Sequence, residues 1–425
     1  MILNSFNNVV DGVIGSIVSV FFAVWWIVVP LALLFIVWQL WIYFIIARYN
    51  RSITWVLLEV KIPALIEKTP KAMEQVFAAV YGIYSFGFTL RQSFIEGHLR
   101  EDWISFELVG FAGGVHFYVR VPDSFRNLIE SAIYAQYPDA EIHEAQDYKN
   151  LFPRTLPNKT YDIFGIDYHL VREDAYPIQT WEYFEEAQEE KRLDPIAALT
   201  EAMSKLKNDE AIWIQIFVSP TGNEWKKEGE AIRDKLLGRE KAKKKGWSEN
   251  VFEFAKNLAI APIEKPTWAG SEEKKKEPKS LLLLSPGERD VVEAIDKKIG
   301  RLGFETNIRF VYIDRRDSFT RSNIAAVMSS MHQFNTQNLN ALRPNVDTMT
   351  IIRGNIKYFK NRRLWYRKRR MWDSYWRMYW PKKTMVLNAE ELATIYHFPS
   401  LVVEAPLLRR LGAKKGEPPA GLPVE

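Results

Sequence analysis

Between Arg353 and Lys383 the chain sets twelve Lys and Arg residues against a single acid, Asp373, and interleaves Trp365, Tyr366, Trp372, Tyr375, Trp376, Tyr379 and Trp380 among them. Guanidinium planes and aromatic rings hold anions and stack on flat partners. On a helix, Trp365, Trp372, Trp376 and Tyr379 fall near one face while Arg363, Arg367, Arg370 and Arg377 cluster on another, an amphipathic element that Pro381 stops. Three uses stay open for it. It suits an anionic lipid leaflet, where each nearby Lys or Arg is worth about 1 kcal/mol. It suits single-stranded nucleic acid such as DNA, through bases stacked on aromatics in a basic groove. It equally suits packing of the rings on the chain's own domains, with the arginines solvated or paired with a partner's acids.

Other chemistry is thinly represented. With no cysteine in 425 residues, disulfides, thiolate metal sites and cysteine nucleophiles are excluded. No phosphate loop of the GxxxxGK[ST] type, no HExxH and no GxSxG occurs, and His98, His116, His143, His169, His332 and His397 show no ligand spacing. His116 is expected at an outward strand position, solvated or satisfied, and the His143-Glu144 pair reads as strand-edge chemistry. Glu185, Glu186, Glu189 and Glu190 read as a solvated helix face. The expectation is a non-enzymatic chain with no cofactor and no metal.

The elements that position these groups begin with a membrane anchor. No charge lies between Asp11 and Arg48, and residues 13–47 exceed the roughly 20 apolar residues a span requires but not the length of two spans. One helix is expected, with residues 1–12 outside and Pro30 tolerated within it. Arg48, Arg51 and Lys61 follow the span, so the positive-inside rule places the rest in the cytoplasm, on the inner membrane. Trp38, Trp41, Tyr43 and Tyr49 suit the headgroup belt.

The remaining length predicts two or three compact domains, and the net charge of +5 matters mainly through its location. Residues 53–149 read β-α-β-β-α-β. Val56, Leu58, Val60 and Ile62 line one strand face, a helix with Thr69 as N-cap follows over Pro70 to Tyr84, and a hairpin turns at Gly113 and Gly114. In it Ile104, Phe106 and Leu108 alternate with Ser105 and Glu107, and Phe117, Val119 and Val121 alternate with His116, Tyr118 and Arg120. A helix from Asp123 or Ser124 and a strand at Glu141 to Ala145 complete a ferredoxin-like order. Residues 161–345 read as a second, interrupted unit of the same kind. Its strands are centred on Phe164, Ile214 and Phe310, and its helices open at Asp194-Pro195, at Trp225, at the capping box Ser285/Glu288 (with Val292, Ile295, Ile299 and Leu302 inward) and near Ile324. A mobile charged insertion is expected over 239–279, and a third strand only if Leu281 to Leu284 supplies it. The fold class is therefore α+β: one transmembrane helix, two ferredoxin-like units, and the basic aromatic amphipathic helix of 353–383.

Residues 384–425 open with a short strand, then Asn388 as N-cap with Glu391 three residues on, and a brief helix closed by Pro399. LNAEELATIYHFP, then Ala405-Pro406 and KGEPPAGLP at Lys415 to Pro423, resembles the segment just before the nucleotide-binding domain in membrane-associated ATPases of the type IV secretion and conjugation coupling-protein class. WVLLEVKIP and KTPKAMEQVF after a membrane helix resemble the amino-terminal region of large candidate-phylum bacterial proteins of this arrangement. The resemblance implies a platform that positions a separate ATPase motor at the membrane. It implies motor contact through Leu387, Asn388, Glu391, Leu392, Tyr396, His397, Phe398 and Pro399, and membrane, partner or DNA contact through Arg363, Arg367, Arg370, Trp372, Trp376 and Arg377. Coupling-type assemblies are often ring-like, so a homo-oligomer is also implied. The sequence stops where such a motor would begin, so ATP hydrolysis is not carried over: either a separate polypeptide provides the motor, or the chain is the amino-terminal part of a split or truncated system.

Overall fold

The computed structural model describes residues 2–63, 68–85, 87–98, 100–112, 114–184, 194–239, 284–352 and 358–399, with backbone alone over 2–24. Two compact units emerge: Met1–Thr54 with Ser85–Glu101, and Trp55–Tyr84 with Asp102–Glu425. In the first, α1 runs over Ile2–Ser52 with Pro30 inside it. Its part from Trp25 to Ser52 is long and apolar enough to cross a membrane, with mean hydropathy 2.3 over a window that is only 6% buried. A soluble core helix of that composition would be covered; this one exposes Leu31, Leu34, Phe35, Val37 and Leu40.

The second unit is α+β and holds one antiparallel sheet rather than two separate ones. Nine strands are present among the described residues: β1 (Trp55–Lys61), β2 (Ile104–Phe111), β3 (Gly114–Pro122), β4 (Glu141–Glu144), β5 (Tyr161–Leu170), β6 (Ala211–Pro220), β7 (Gly303–Arg315), β8 (Leu342–Pro344) and β9 (Met385–Asn388). Their order is β4-β1-β3-β2-β6-β7-β5-β8, with β9 added to the start of β7. The seam between the halves is β2 against β6, from Ile104 opposite Val218 to Phe111 opposite Ala211. Burial of an edge strand from each half removes two edges that would otherwise invite foreign pairing.

Helices α2 (Lys71–Val80), α3 (Arg126–Gln136), α4 (Ala197–Ser204) and α7 (Arg321–His332) cover one face. They do so because Met73, Val76, Phe77 and Val80, Ile129 and Ile133, Leu199 and Met203, and Ile324, Val327 and Met331 form apolar stripes at helical spacing. These stripes and Val56, Leu58, Phe106, Val119, Ile214, Ile216 and Phe310 share one core. Local starts and stops follow the sequence in part. Ser285 and Glu288 form the expected capping box at α6 (Pro286–Ile299), and Asp194 accepts from the backbone of Ile196 at 2.9 Å. Thr69 makes no cap with its side chain, since Pro70 holds that position, and Leu302 falls past the end of α6 and is exposed.

The second half departs from expectation in its strands. The strand at 303–315 is the third of that half, the short β8 is the fourth, and α5 (Glu224–Leu236) and α6 lie between β6 and β7. Leu281 to Leu283, nearly all of the charged insertion, Gly113, and Glu185, Glu186, Glu189 and Glu190 lie outside the described residues.

Helix α4 belongs to the second half yet packs over β2 of the first. Gly110 permits this, because a Cβ there would stand 2.7 Å from the Cβ of Met203. Gly110→Val therefore overpacks the joint between the halves, with a predicted loss of about 1–3 kcal/mol in denaturant unfolding of the full chain; an unchanged midpoint would place α4 elsewhere.

Candidate functional site

The opposite face of the sheet carries the residues that alternate with the core set, and it is buried too. Ser105, Glu107, Arg120, Gln215 and Arg309 are all almost inaccessible. The cover is α8 (Lys360–Trp376), the helical part of the basic aromatic segment, together with the turn at Tyr148–Leu151. Trp372 and Tyr375 are fully buried, packed on Trp213 with ring centroids 5.9 and 5.4 Å away. The indole N–H of Trp372 donates to the Arg154 carbonyl at 3.0 Å.

Glu107 is the centre of the polar part. It accepts from Tyr148 Oη at 2.7 Å, Ser105 Oγ at 2.8 Å and Gln215 Nε2 at 3.0 Å, and Arg120 lies against it at 3.3 Å. Since the Tyr148 proton points to Glu107, Tyr375 donates to the Tyr148 oxygen, 2.6 Å away. Arg120 also reaches Asp147 at 3.1 Å, and Lys149 Nζ donates at 3.0 Å to the carbonyl of Trp376 at the end of α8. Burial alone would raise the Glu107 carboxyl. The charges of Arg120 and Lys149 and the hydrogen bonds from Tyr148 and Gln215 instead hold it below the ordinary carboxylate value. Asp147 is held low in the same way, by Arg120 and Lys149 against burial.

Beyond Trp372 and Tyr375 the helix emerges from the sheet. Tyr358 is 82% exposed and Phe359 74%, and Trp365 and Tyr366 are about half exposed beside Arg362, Arg363 and Arg370. Arg362 lies over the Tyr366 ring at 5.8 Å. The expected division of faces is thus altered: Trp372 is core, Trp376 half-buried under Arg154, and Trp365 points outward. Arg367 donates to the Met349 and Ile351 carbonyls at 3.1 and 2.9 Å, while Arg377 is exposed past the helix end. The helix ends at Trp376, before Pro381, where Met378 takes a φ of 54°. Arg353 and Lys357 lie outside the described residues.

The segment expected to meet a motor is folded into the core instead. Leu387, Glu391, Leu392 and Tyr396 are fully buried, and Asn388, His397, Phe398 and Pro399 nearly so. Asn388 and Glu391 do form their capping box, opening α9 (Ala389–Ile395). Glu391 also accepts from the Ile178 amide at 2.8 Å and pairs with the wholly buried Lys298 at 3.1 Å. Glu390 pairs with Lys297 at 3.2 Å and Arg301 at 3.0 Å, Arg301 also reaches Glu74, and Lys297 reaches Glu182. Tyr396 and Phe398 pack on Phe106, Phe117 and Tyr137 of the first half. His397 contacts the Ala393 carbonyl at 2.8 Å and Asp194 at 3.1 Å. This short helix ties both halves together. Beside it lies a cleft of about 490 Å³ between α6, residues 177–183 and residues 336–339, with Lys297, Lys298 and Glu390 in its wall.

His116, expected at an outward strand position as solvated or satisfied, is the second: it is 5% exposed, 2.7 Å from Glu59 and stacked on Phe111. His143 stays at an exposed edge near Glu141. Among the described residues no three metal-ligating side chains converge.

Two outcomes follow. A carboxyl whose folded pKa lies below its unfolded value stabilises fully above the unfolded value, about 4.3 for Glu, and loses that contribution as pH falls through the folded one. Thermal stability of the full chain should therefore fall on acidification below about pH 4, and Glu107→Gln should be less stable at neutral pH with a flatter acid limb; an equally steep limb would contradict the role given to Glu107. Lys298→Met, which strands Glu391, should cost about 3–5 kcal/mol, with recovery in Lys298→Met/Glu391→Gln; the absence of any coupling between the two would dismiss the pair.

Residues 54–408 match the model of a family described as Domain of unknown function (DUF8128). No curated protein matches the chain. Since that match takes in the whole sheet, both of its covered faces and the α9 tie, the chain belongs to the DUF8128 family.

Proposed function

We propose that the chain is a non-enzymatic platform, anchored in the inner membrane by α1, which holds a type IV secretion or conjugation-type ATPase at the cytoplasmic face. The observation that carries this reading is the union of an exposed apolar helix with a domain that locks its own carboxy-terminal segment into the core up to Pro399. A partner or further domain joined after Pro399 would be held by a rigid body, and tethering turns its encounters at the membrane into intramolecular ones. The resemblance of Leu387 to Pro423 to coupling-type ATPases suggests which partner. Arg48, Arg51 and Lys61 after the apolar run support an outside amino terminus and a cytoplasmic domain.

The strand order supports reading each half as a ferredoxin-like module. β4-β1-β3-β2 and, mirrored, β8-β5-β7-β6 are the same order, the second interrupted between its second and third strands by α5 and α6. The buried charges favour a structural over a catalytic use, since those around Glu107 and Glu391 are engaged with one another. Because Leu387 to Pro399 is buried, partner contact falls to the residues after Pro399 and to the exposed end of α8. Arg362, Arg363, Trp365 and Tyr366 at that end also support a second reading, binding of single-stranded nucleic acid.

Carbonate-washed membranes should retain the intact chain, and a co-purifying ATPase should be lost about tenfold in Arg363→Glu/Trp365→Ala with the fold intact. Recovery of the chain in the soluble fraction would end the platform reading. Salt-dependent binding of single-stranded DNA by the full chain, abolished by the same pair, would favour the second reading instead.

A further inference from the structure

The stretch between α2 and β2 contains a short helical turn that packs on α1. Thr89 opens it with a capping box: its backbone and hydroxyl reach Gln92 Oε1 at 2.9 Å, and Gln92 N–H returns to Thr89 Oγ1 at 3.3 Å. Residues 90–96 are helical, and Gly97 ends the turn at φ 89°, a left-handed conformation. Only glycine fits there for a second reason, since a Cβ would stand 2.5 Å from the Ile45 carbonyl oxygen of α1. Phe94 packs on Trp38 at 5.6 Å, and His98 on Tyr49 at 4.0 Å.

Two features set this turn apart from a surface loop. Leu90, Phe94 and Ile95 are 79, 37 and 55% exposed, so much of its apolar surface is left uncovered. Its last carbonyls, which a helix end leaves without partners, are nevertheless served by α1: Trp41 Nε1 donates to Phe94 O at 3.2 Å and Arg48 Nη2 to Ile95 O at 2.6 Å. Water would satisfy such groups unaided, whereas in lipid each one left bare costs several kcal/mol. The two hydrogen bonds run from Arg48, the first charge after the apolar stretch, back to Trp41, and the Phe94 ring reaches one turn further, to Trp38. At 1.5 Å per residue the hydrogen-bonded part spans about 10 Å along the helix, the depth to which interfacial helices bury themselves.

We infer that residues 89–97 form a second membrane element, a foot lying in the headgroup and upper acyl layer beside α1 with Leu90, Phe94 and Ile95 among lipid chains. The inference rests on the reading of α1 as a membrane anchor. Arg91 and Glu96, paired at 3.4 Å, mark its polar side. The foot fixes the rotation of α1 about its own axis, because Trp38, Trp41, Ile45 and Arg48 must face it.

The chain has no cysteine, so single substitutions accept a unique fluorophore. Leu90→Cys, Ile95→Cys, Val37→Cys and Leu151→Cys, all at exposed positions, would be labelled in the full chain reconstituted into phosphatidylcholine/phosphatidylglycerol vesicles with spin-labelled lipid. Labels at 90 and 95 should be quenched about twofold by spin labels high on the acyl chain, label 37 by deep ones, and label 151 by neither. Quenching at 37 with none at 90 and 95 would overturn the foot and leave the anchor standing. Absence of quenching at 37 would overturn both.

Discussion

The antiparallel pairing of β2 with β6, running from Ile104 opposite Val218 to Phe111 opposite Ala211, is the joint on which the rest of the domain depends. It converts two sets of strands into one sheet, and one sheet has two faces that must both be covered. The α2, α3, α4 and α7 layer meets the first demand. The second falls to α8, and it explains why the most basic segment of the chain contributes Met371, Trp372 and Tyr375 to a core. The polar residues that face α8 then need partners. Glu107 and Gln215, opposite one another across the seam, find them in each other, Arg120 and Tyr148.

A second constraint acts on the other side of the sheet. α9 carries two adjacent carboxylates into a buried position, which is tolerable only because Lys297, Lys298 and Arg301 come to meet them from α6 and the turn after it. Those bases lie beyond the long charged stretch in the sequence, on α6 and just after it. Tyr396 and Phe398 then lie against the first half and Glu391 against the second. The two halves are thus coupled twice, through α9 and through the seam.

Much of this was legible in the sequence where alternation or capping is local. The strands around Phe106, Phe117 and Ile214, the boxes at Ser285 and Asn388, and the apolar helix all stand as expected. Burial of the polar face was not legible, because Glu107, Arg120 and His116 alternate as solvent-facing residues do, and their cover arrives from more than 200 residues away in Tyr375. The same holds for Glu390 and Glu391, whose acidic first turn suits an exposed helix as well as a buried one facing lysines. β7 read as a late strand because α5, the charged stretch and α6 separate it from β6, its sheet neighbour. The turn at 90–96 carried its signals, Thr89 with Gln92 and Gly97, but seven residues are too few for a hydrophobic period to stand out.

Native-state hydrogen exchange of the full chain in a lipid environment tests most directly whether the halves form one body. Backbone amides of Phe106 and Leu108 on β2 and of Ile214 and Ile216 on β6 should exchange as slowly as those in the middle of the β1–β3 and β5–β7 ladders, opening only when the whole domain unfolds. Earlier exchange along the seam, with each half still protected, would contradict a single continuous sheet and, with it, the rigid body that the proposed platform requires.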